Sequence, residues 1–412
     1  MNNKNSFVTK LAFLSVSFML TSAYAVQSAL PQLKAALNVT QTEAEYLATM
    51  PSFAVMIFVV LSPMLQEWFH ISDKKMIMAG VLIVGAMGVI PFFGIKSYPV
   101  ILGSRLLLGA GYGLYNSQAI SVISAWYEGG TRAQMLGWRA AAEQIGQATT
   151  LFIAGILLTV GGWHASFLVY LLAFVVLIFF ALRVPDEEPG AEKVSVDEDA
   201  PAGDQAAMGP SKISPVVALL VLFAFLLVVD YVGMENRFAS LAVVLRGAHY
   251  TGASNYLSLM LIGAMLGGLF YGAIQKRLGF GTVYLGLFLM ALANFLFYFG
   301  SQGRNFGLMV TGLLLIGFPL QLVSPLIFNL LPDLAPQNRQ PLVTSLVLIG
   351  FNFGSFFSPT LAEASNHLLG QPLSGIGLAA PFIIYGIALL VIAAVIFIAT
   401  RRQKQTNTQV EG

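Results

Sequence analysis

The chain has 412 residues, of which 57% are hydrophobic and only 10% charged, with a formal net charge of +2. Ordinary soluble domains carry about 25% charged residues, so a water-soluble globule is excluded, and so small a net charge offers no footing for nucleic acid. With no cysteine, and with His70, His164, His249 and His367 scattered, neither a disulfide, a metal site nor a cofactor is expected.

Apolar stretches lie at roughly 8–30, 45–66, 75–95, 98–125, 134–160, 163–182, 214–236, 252–275, 281–299, 305–331, 341–365 and 376–399. Each is long enough to cross a ~30 Å hydrocarbon layer as an α-helix, which satisfies its own backbone polar groups in lipid. Lys4 and Lys10 precede the first stretch, and Ala23-Tyr24-Ala25 near its end has the form of a signal-peptidase site. Cleavage there would leave an odd number of spans, so the stretch is read as a retained helix. Between the sixth and seventh spans, Asp186, Glu187, Glu188, Glu192, Asp197, Glu198, Asp199 and Asp204 lie among Pro, Gly and Ala. That composition predicts a flexible, solvated linker, and only its charge speaks for a regulatory surface.

Fifteen of the 21 Lys and Arg residues fall on the side of the N-terminus, which predicts cytoplasmic termini and a cytoplasmic linker. The expected organisation is a bundle over 1–183, the linker over 184–213, a second bundle over 214–400 and a tail over 401–412.

The two halves echo each other. Ser62 to Phe69 with Lys74 and Lys75 follow the second span, and Gly268 to Gly272 with Gln275, Lys276 and Arg277 end the eighth. The fourth span ends in Trp126-Tyr127-Glu128 before Arg132, and the tenth in Leu331-Pro332-Asp333 before Arg339. Each half is a six-helix bundle, repeated in parallel.

The fourth span, Gly103-Ser104-Arg105 through Gly109, Gly111 and Gly113, resembles the Arg-and-glycine motif of the major facilitator superfamily. Arg132 with Gly137, and Gly161-Gly162-Trp163 before Phe167, support the resemblance. It implies an all-α membrane protein with twelve transmembrane helices in two six-helix bundles related by pseudo-twofold symmetry. Three departures bear on function. The loop after span two has Glu67 where the family has Asp, and keeps only Lys74 and Lys75 at its basic end. Thr150-Leu151 stands where many antiporters of the family have Gly-Pro in span five. Ser358-Pro359 holds the repeat-related place in span eleven. Glu67, Lys74, Lys75, Arg132 and Arg139 are the candidate cytoplasmic gate.

No catalytic constellation and no phosphate-binding Gly-x-x-x-x-Gly-Lys-[Ser/Thr] loop occurs, so an enzyme is not expected and transport would draw on an existing gradient. Intramembrane ionisable groups mark pathways by default. Of the 19 Asp and Glu residues, eight lie in the linker and nine, Glu45 and Glu235 among them, are assigned to loops, tails or span ends. That elimination leaves Glu143 and Asp230 as proton-coupling candidates. The plainer reading pairs Glu143 with Arg139 at i,i+4, and Asp230 with Arg237 or a neighbouring helix. Arg105 is the basic group placed within a span; the resemblance implies proton transfer or a hold on the first helix, it could equally attract an anionic substrate, and hydrogen bonding to helix carbonyls is the plainer alternative. Gly109, Gly111 and Gly113 read as close helix packing, since no strand precedes them to make a dinucleotide site.

The resemblance also implies that spans one, four, seven and ten, with parts of two, five, eight and eleven, line a central cavity. Their polar and aromatic residues are Tyr24, Gln27, Tyr112, Tyr115, Asn116, Gln147, Tyr231, Gln321, Asn329 and Asn352, beside Asp230. Each alone reads as an interhelical hydrogen bond; as a set they suit an amphipathic organic solute. The expectation is a monomeric, proton-coupled secondary transporter of a small organic, amphipathic or anionic solute in the cytoplasmic membrane, leaning to uptake. A proton-coupled multidrug efflux antiporter is the alternative, and a transporter-like membrane sensor the alternative of another class.

Overall fold

The computed structural model describes residues 6–127, 129–184, 212–336 and 339–410, so almost all of the expected acidic linker lies outside the described residues. Among the described residues every regular element is helical: α1 (Phe7–Phe18), α2 (Leu30–Leu37), α3 (Gln41–Phe69), α4 (Asp73–Val89), α5 (Tyr98–Trp126), α6 (Gly129–Ser166), α7 (Leu171–Arg183), α8 (Val216–Arg246), α9 (Ala253–Leu278), α10 (Gly281–Gln302), α11 (Phe306–Leu330), α12 (Gln340–Leu368) and α13 (Pro381–Val410), with short 3-10 turns between some of them. Local chemistry sets several boundaries. Thr40 and Glu43 form a reciprocal capping box at the start of α3, and His70 ends it in the left-handed conformation. Ser72 and Asn305 accept backbone N–H groups at the starts of α4 and α11.

Nine of these helices are long and apolar enough to cross a membrane, or ten with the bent pair formed by α1 and the Ser22–Leu37 segment. Two local causes separate that number from twelve. The run Gly130–Arg183 counts once, yet its 54 residues would reach roughly 80 Å as one helix, about twice a bilayer. It breaks at Gly162, whose φ of 73° takes the chain out of the helix. α5 is 29 residues long, but Arg105, Asn116 and Gln118 lower its hydropathy. The fold is thus a polytopic helical membrane protein, with a path that accommodates twelve crossings.

The first span differs from the single helix expected over 8–30. α1 stops at Phe18, a 3-10 turn runs over Ser22–Ala29, and α2 resumes at a bend of 48°. No glycine or proline lies between Phe18 and Ala29, and Pro31 sits in the first turn of α2; the break itself is held from outside. Arg105 donates to the Ala23 carbonyl, the Tyr170 hydroxyl donates to Ser22 O at 2.9 Å, and Gly146 lets α6 lie against the Phe18 carbonyl. At the other terminus α13 continues to Val410, past the expected end at 400, because 401–410 contain no Gly or Pro to stop a helix.

Two buried apolar clusters form the cores. One is drawn from Ala12 to Val184; the other runs from Val217 to Leu389 and takes only Leu151 from the first half. Glycines bring the helices of each half together. Gly111 and Gly80 lie so close that a Cβ on Gly111 would sit 2.7 Å from the Gly80 carbonyl, and one on Gly109 would collide with the Pro51 backbone. Gly109→Ala should therefore destabilise the protein by about 1–3 kcal/mol, the usual cost of overpacking, and lower its thermal midpoint in detergent. An unchanged midpoint would mean that α3 and α5 separate freely at this contact.

Candidate functional site

The halves are joined by a polar seam along α3–α12, α2–α8 and α6–α9, toward the end where α3 and α9 begin and α8 and α12 finish. Three residues at its centre correct the sequence assignment. Glu45, Glu235 and Arg237 were placed at span ends, yet they are 0%, 1% and 0% exposed. The reason is that α8 does not stop near 236 but runs on to Arg246, and α3 begins at Gln41. Among the described residues, the buried acids therefore include Glu45 and Glu235 as well as Asp230, with Glu143 half-buried, and Arg237 joins Arg105 as a buried cation.

Glu45 on α3 faces Arg237 on α8, with Oε1 3.2 Å from Nε. Each is also held from its own half. Gln41 Nε2 donates to Glu45 at 2.9 Å, whereas Arg237 Nη1 donates to Asn366 Oδ1 at 2.6 Å and to Leu378 O at 2.9 Å. Gln41 also donates to Ser240 across the seam at 3.1 Å and accepts from Lys34 Nζ at 3.2 Å. Two residues deeper on α8, about half a helical turn, Glu235 Oε2 accepts from Gln27 Nε2 at 3.3 Å, and Gln27 also donates to Asn236 Oδ1 at 2.9 Å. Tyr231 completes the surroundings of Glu235 with a side-chain hydrogen bond. Among the described residues no cation pairs with Glu235. Nearer the middle of the spans, the Tyr24 hydroxyl meets Ser355 at 2.8 Å and Ser52 at 3.2 Å, while Tyr46, next to Glu45 on α3, bonds Thr360 and sets its ring tilted against Phe356.

Asp230 lies on the same helix but turns away from the seam. Its Oδ2 accepts from Asn294 Nδ2 on α10 at 2.8 Å, and Arg237, one partner expected for it, is taken by Glu45. Glu143 pairs with Arg139 at 3.4 Å, and Arg139 also donates to Asn116 at 2.7 Å; both side chains retain some exposure. Arg105 is fully buried among neutral groups, donating to Leu47 O at 2.8 Å, to the Tyr170 hydroxyl at 2.6 Å and to Ala23 O. It braces the broken first span against α3 and the 3-10 turn before α7, with Tyr112 adding a 2.6 Å bond to Ser22 and Tyr115 packing beside Tyr112.

The remaining candidates scatter. Gln147 is buried and Gln321 half-buried; Asn352 bonds its own helix at Leu348 O, and Asn329 is exposed and donates to Tyr271. At the far end Glu67, Lys75 and Arg132 are exposed, and Lys74 donates to Ala181 O at 3.3 Å. Asp73, rather than Glu67, joins the polar chain there. Gln66 donates to Asp73 at 2.5 Å and accepts from Gln118 at 3.1 Å, tying α3, α4 and α5 within one half. The seam thus gathers Tyr24, Gln27 and Tyr231 from the expected set and adds Gln41, Glu45, Glu235 and Arg237. A signal for them existed: Glu235-Asn236-Arg237 is followed by the apolar run Leu241 to Leu245, a polar triplet inside a longer helix.

The sequence profile of the Major Facilitator Superfamily matches residues 12–359 and 247–412. No curated protein matches the chain significantly. Among solved structures the chain is similar to a bacterial homolog of the human lysosomal transporter Spinster in an inward-facing, unoccupied conformation, at 16% identity over 96% of this chain and 98% of that one, with a TM-score of 0.70. It is also similar to the nucleoside transporter NupG, at 13% identity, 94% and 100% coverage and a TM-score of 0.70. The D-xylose-proton symporter follows at 16% identity, 94% and 97% coverage and a TM-score of 0.68. At such identities the likeness is one of fold.

Proposed function

The chain belongs to the major facilitator superfamily, and from that premise we propose that it is a proton-coupled secondary transporter taking up a small organic solute. It works as a monomer in the cytoplasmic membrane with both termini inside. The excess of Lys and Arg on the N-terminal side supports a polar seam at the outer end of the spans. In this reading the protein is closed outside, and transport parts the halves along that seam while they close at the other end.

One observation carries the coupling: Glu235, buried where the halves meet, is bonded by Gln27 and Tyr231, with no cation paired to it among the described residues. Desolvating such a charge is costly, and parting the halves admits water to it, so its protonation is tied to the opening of the seam. Asp230, sequestered within one half by Asn294, relays the same proton onward from Glu235. Arg105 and the Arg139–Glu143 pair serve as bracing rather than as carriers. Uptake is favoured because the chain lacks the Gly-Pro step of the efflux antiporters at Thr150-Leu151.

The test uses the seam itself. Thr159 on α6 and Thr251 before α9 have hydroxyls 3.4 Å apart, and the chain has no cysteine. Thr159→Cys with Thr251→Cys puts the sulfurs within disulfide reach. In proteoliposomes, oxidation should arrest gradient-driven uptake of the solute selected from a panel of labelled organic anions and lipophilic cations, and reductant should restore it. Undiminished flux through fully crosslinked protein would sink alternating access at this seam, and ligand binding without net flux would identify a sensor.

A further inference from the structure

Arg237 is held asymmetrically. Its Nη1 is committed within its own half to Asn366 Oδ1 and Leu378 O. The opposite edge, Nε with Nη2, is the edge whose two parallel N–H groups match a carboxylate, and it faces Glu45 across the seam. Glu45 uses that edge incompletely. Its Oε1 approaches Nε to 3.2 Å without hydrogen-bond alignment, and both Arg237 Nη2 and Glu45 Oε2 are buried without a hydrogen-bond partner among the described residues. A buried guanidinium oriented from one side, with its fork unfilled on the other, is a prearranged anion receptor that its neighbour covers poorly.

Glu45 travels with α3, where Gln41 holds it. Parting the halves therefore removes the Glu45 carboxylate from the fork, while Asn366 and Leu378 keep the guanidinium in place. We propose that Arg237 then receives the carboxylate of an organic anion from outside, Glu45 being the internal stand-in that the solute displaces. This rests on the opening of the seam proposed above and adds the substrate class. A second cation, Lys34, bonded to Gln41, lies at the same mouth.

The cysteine-free chain allows a direct test. Ser240, one turn beyond Arg237 and bonded to Gln41 across the seam, becomes a reporter as Ser240→Cys in a Glu45→Gln background. The purified protein is alkylated with the anionic 2-sulfonatoethyl and the cationic 2-(trimethylammonium)ethyl methanethiosulfonates, each rate divided by that with 2-mercaptoethanol. The readout is the ratio of the two, so changes in how often the seam opens cancel. With Arg237 present the anionic reagent should be favoured about tenfold, the lower end of charge focusing in a cleft, and benzoate should slow the reaction. Arg237→Gln should remove the preference, whereas Arg237→Lys should keep it and lose the protection by benzoate, because a point charge lacks the fork. A ratio of one or below with Arg237 present overturns the proposal, as does benzoate without effect on the Arg237 protein. No modification by either reagent would instead overturn the opening of the seam.

Discussion

Glu235→Gln should yield a protein that equilibrates its solute across a membrane but cannot concentrate it. A gradient of one pH unit stores about 1.4 kcal/mol per proton, so a carrier moving one proton with each solute accumulates it about tenfold. The glutamine variant should stop at an internal-to-external ratio of one while continuing to exchange labelled for unlabelled solute. The substitution is nearly isosteric and keeps an acceptor for Gln27, so a change in accumulation without a change in thermal midpoint points to the lost proton rather than to lost packing. Asp230→Asn provides the contrast. Asp230 is bonded to Asn294 inside one half and away from the seam, so its neutralisation should slow turnover more than it lowers the accumulation ratio. Wild-type accumulation by Glu235→Gln, measured under the same gradient, would remove Glu235 from the coupling path.

The sequence made the membrane fold legible because the hydrocarbon layer imposes a length and an apolarity that a single chain displays openly. The glycines of span four were legible for a related reason: contact between α5 and its neighbours needs small residues at helical spacing, and Gly109, Gly111 and Gly113 supply them. The site was harder to read. Hydropathy marks where polar residues begin but not what they face, so Glu235-Asn236-Arg237 looked like the water-side end of span seven. In the fold they face the other half, and the helix goes on for nine residues beyond Arg237. Glu45 was misassigned in the same way, four residues into α3. The break after Phe18 left no trace in its own residues, because its cause lies in Arg105, Gly146 and Tyr170, far along the chain.

Removal of Glu45 should open the outer end. Breaking a buried ion pair from one side typically costs 3–5 kcal/mol, because the remaining charge is left uncompensated. Here the penalty falls on the closed state alone, since parting the halves returns Arg237 to water. Glu45→Ala should therefore shift the balance toward the open form by about 10²- to 10³-fold. Spin labels at Ala36→Cys and Ala248→Cys, both on exposed positions at this end and one in each half, report the change as a longer distance. Adding Arg237→Met to Glu45→Ala removes the stranded cation as well as the pair, and apolar replacement of a buried pair is often neutral or stabilising. The double variant should accordingly return toward the short distance that the single variant has lost. That reversal separates an electrostatic latch from simple loss of packing, in which the double variant would open further. A short distance retained in Glu45→Ala would show that the seam is held by Gln41, Tyr24 and Tyr46, with the ion pair a passenger.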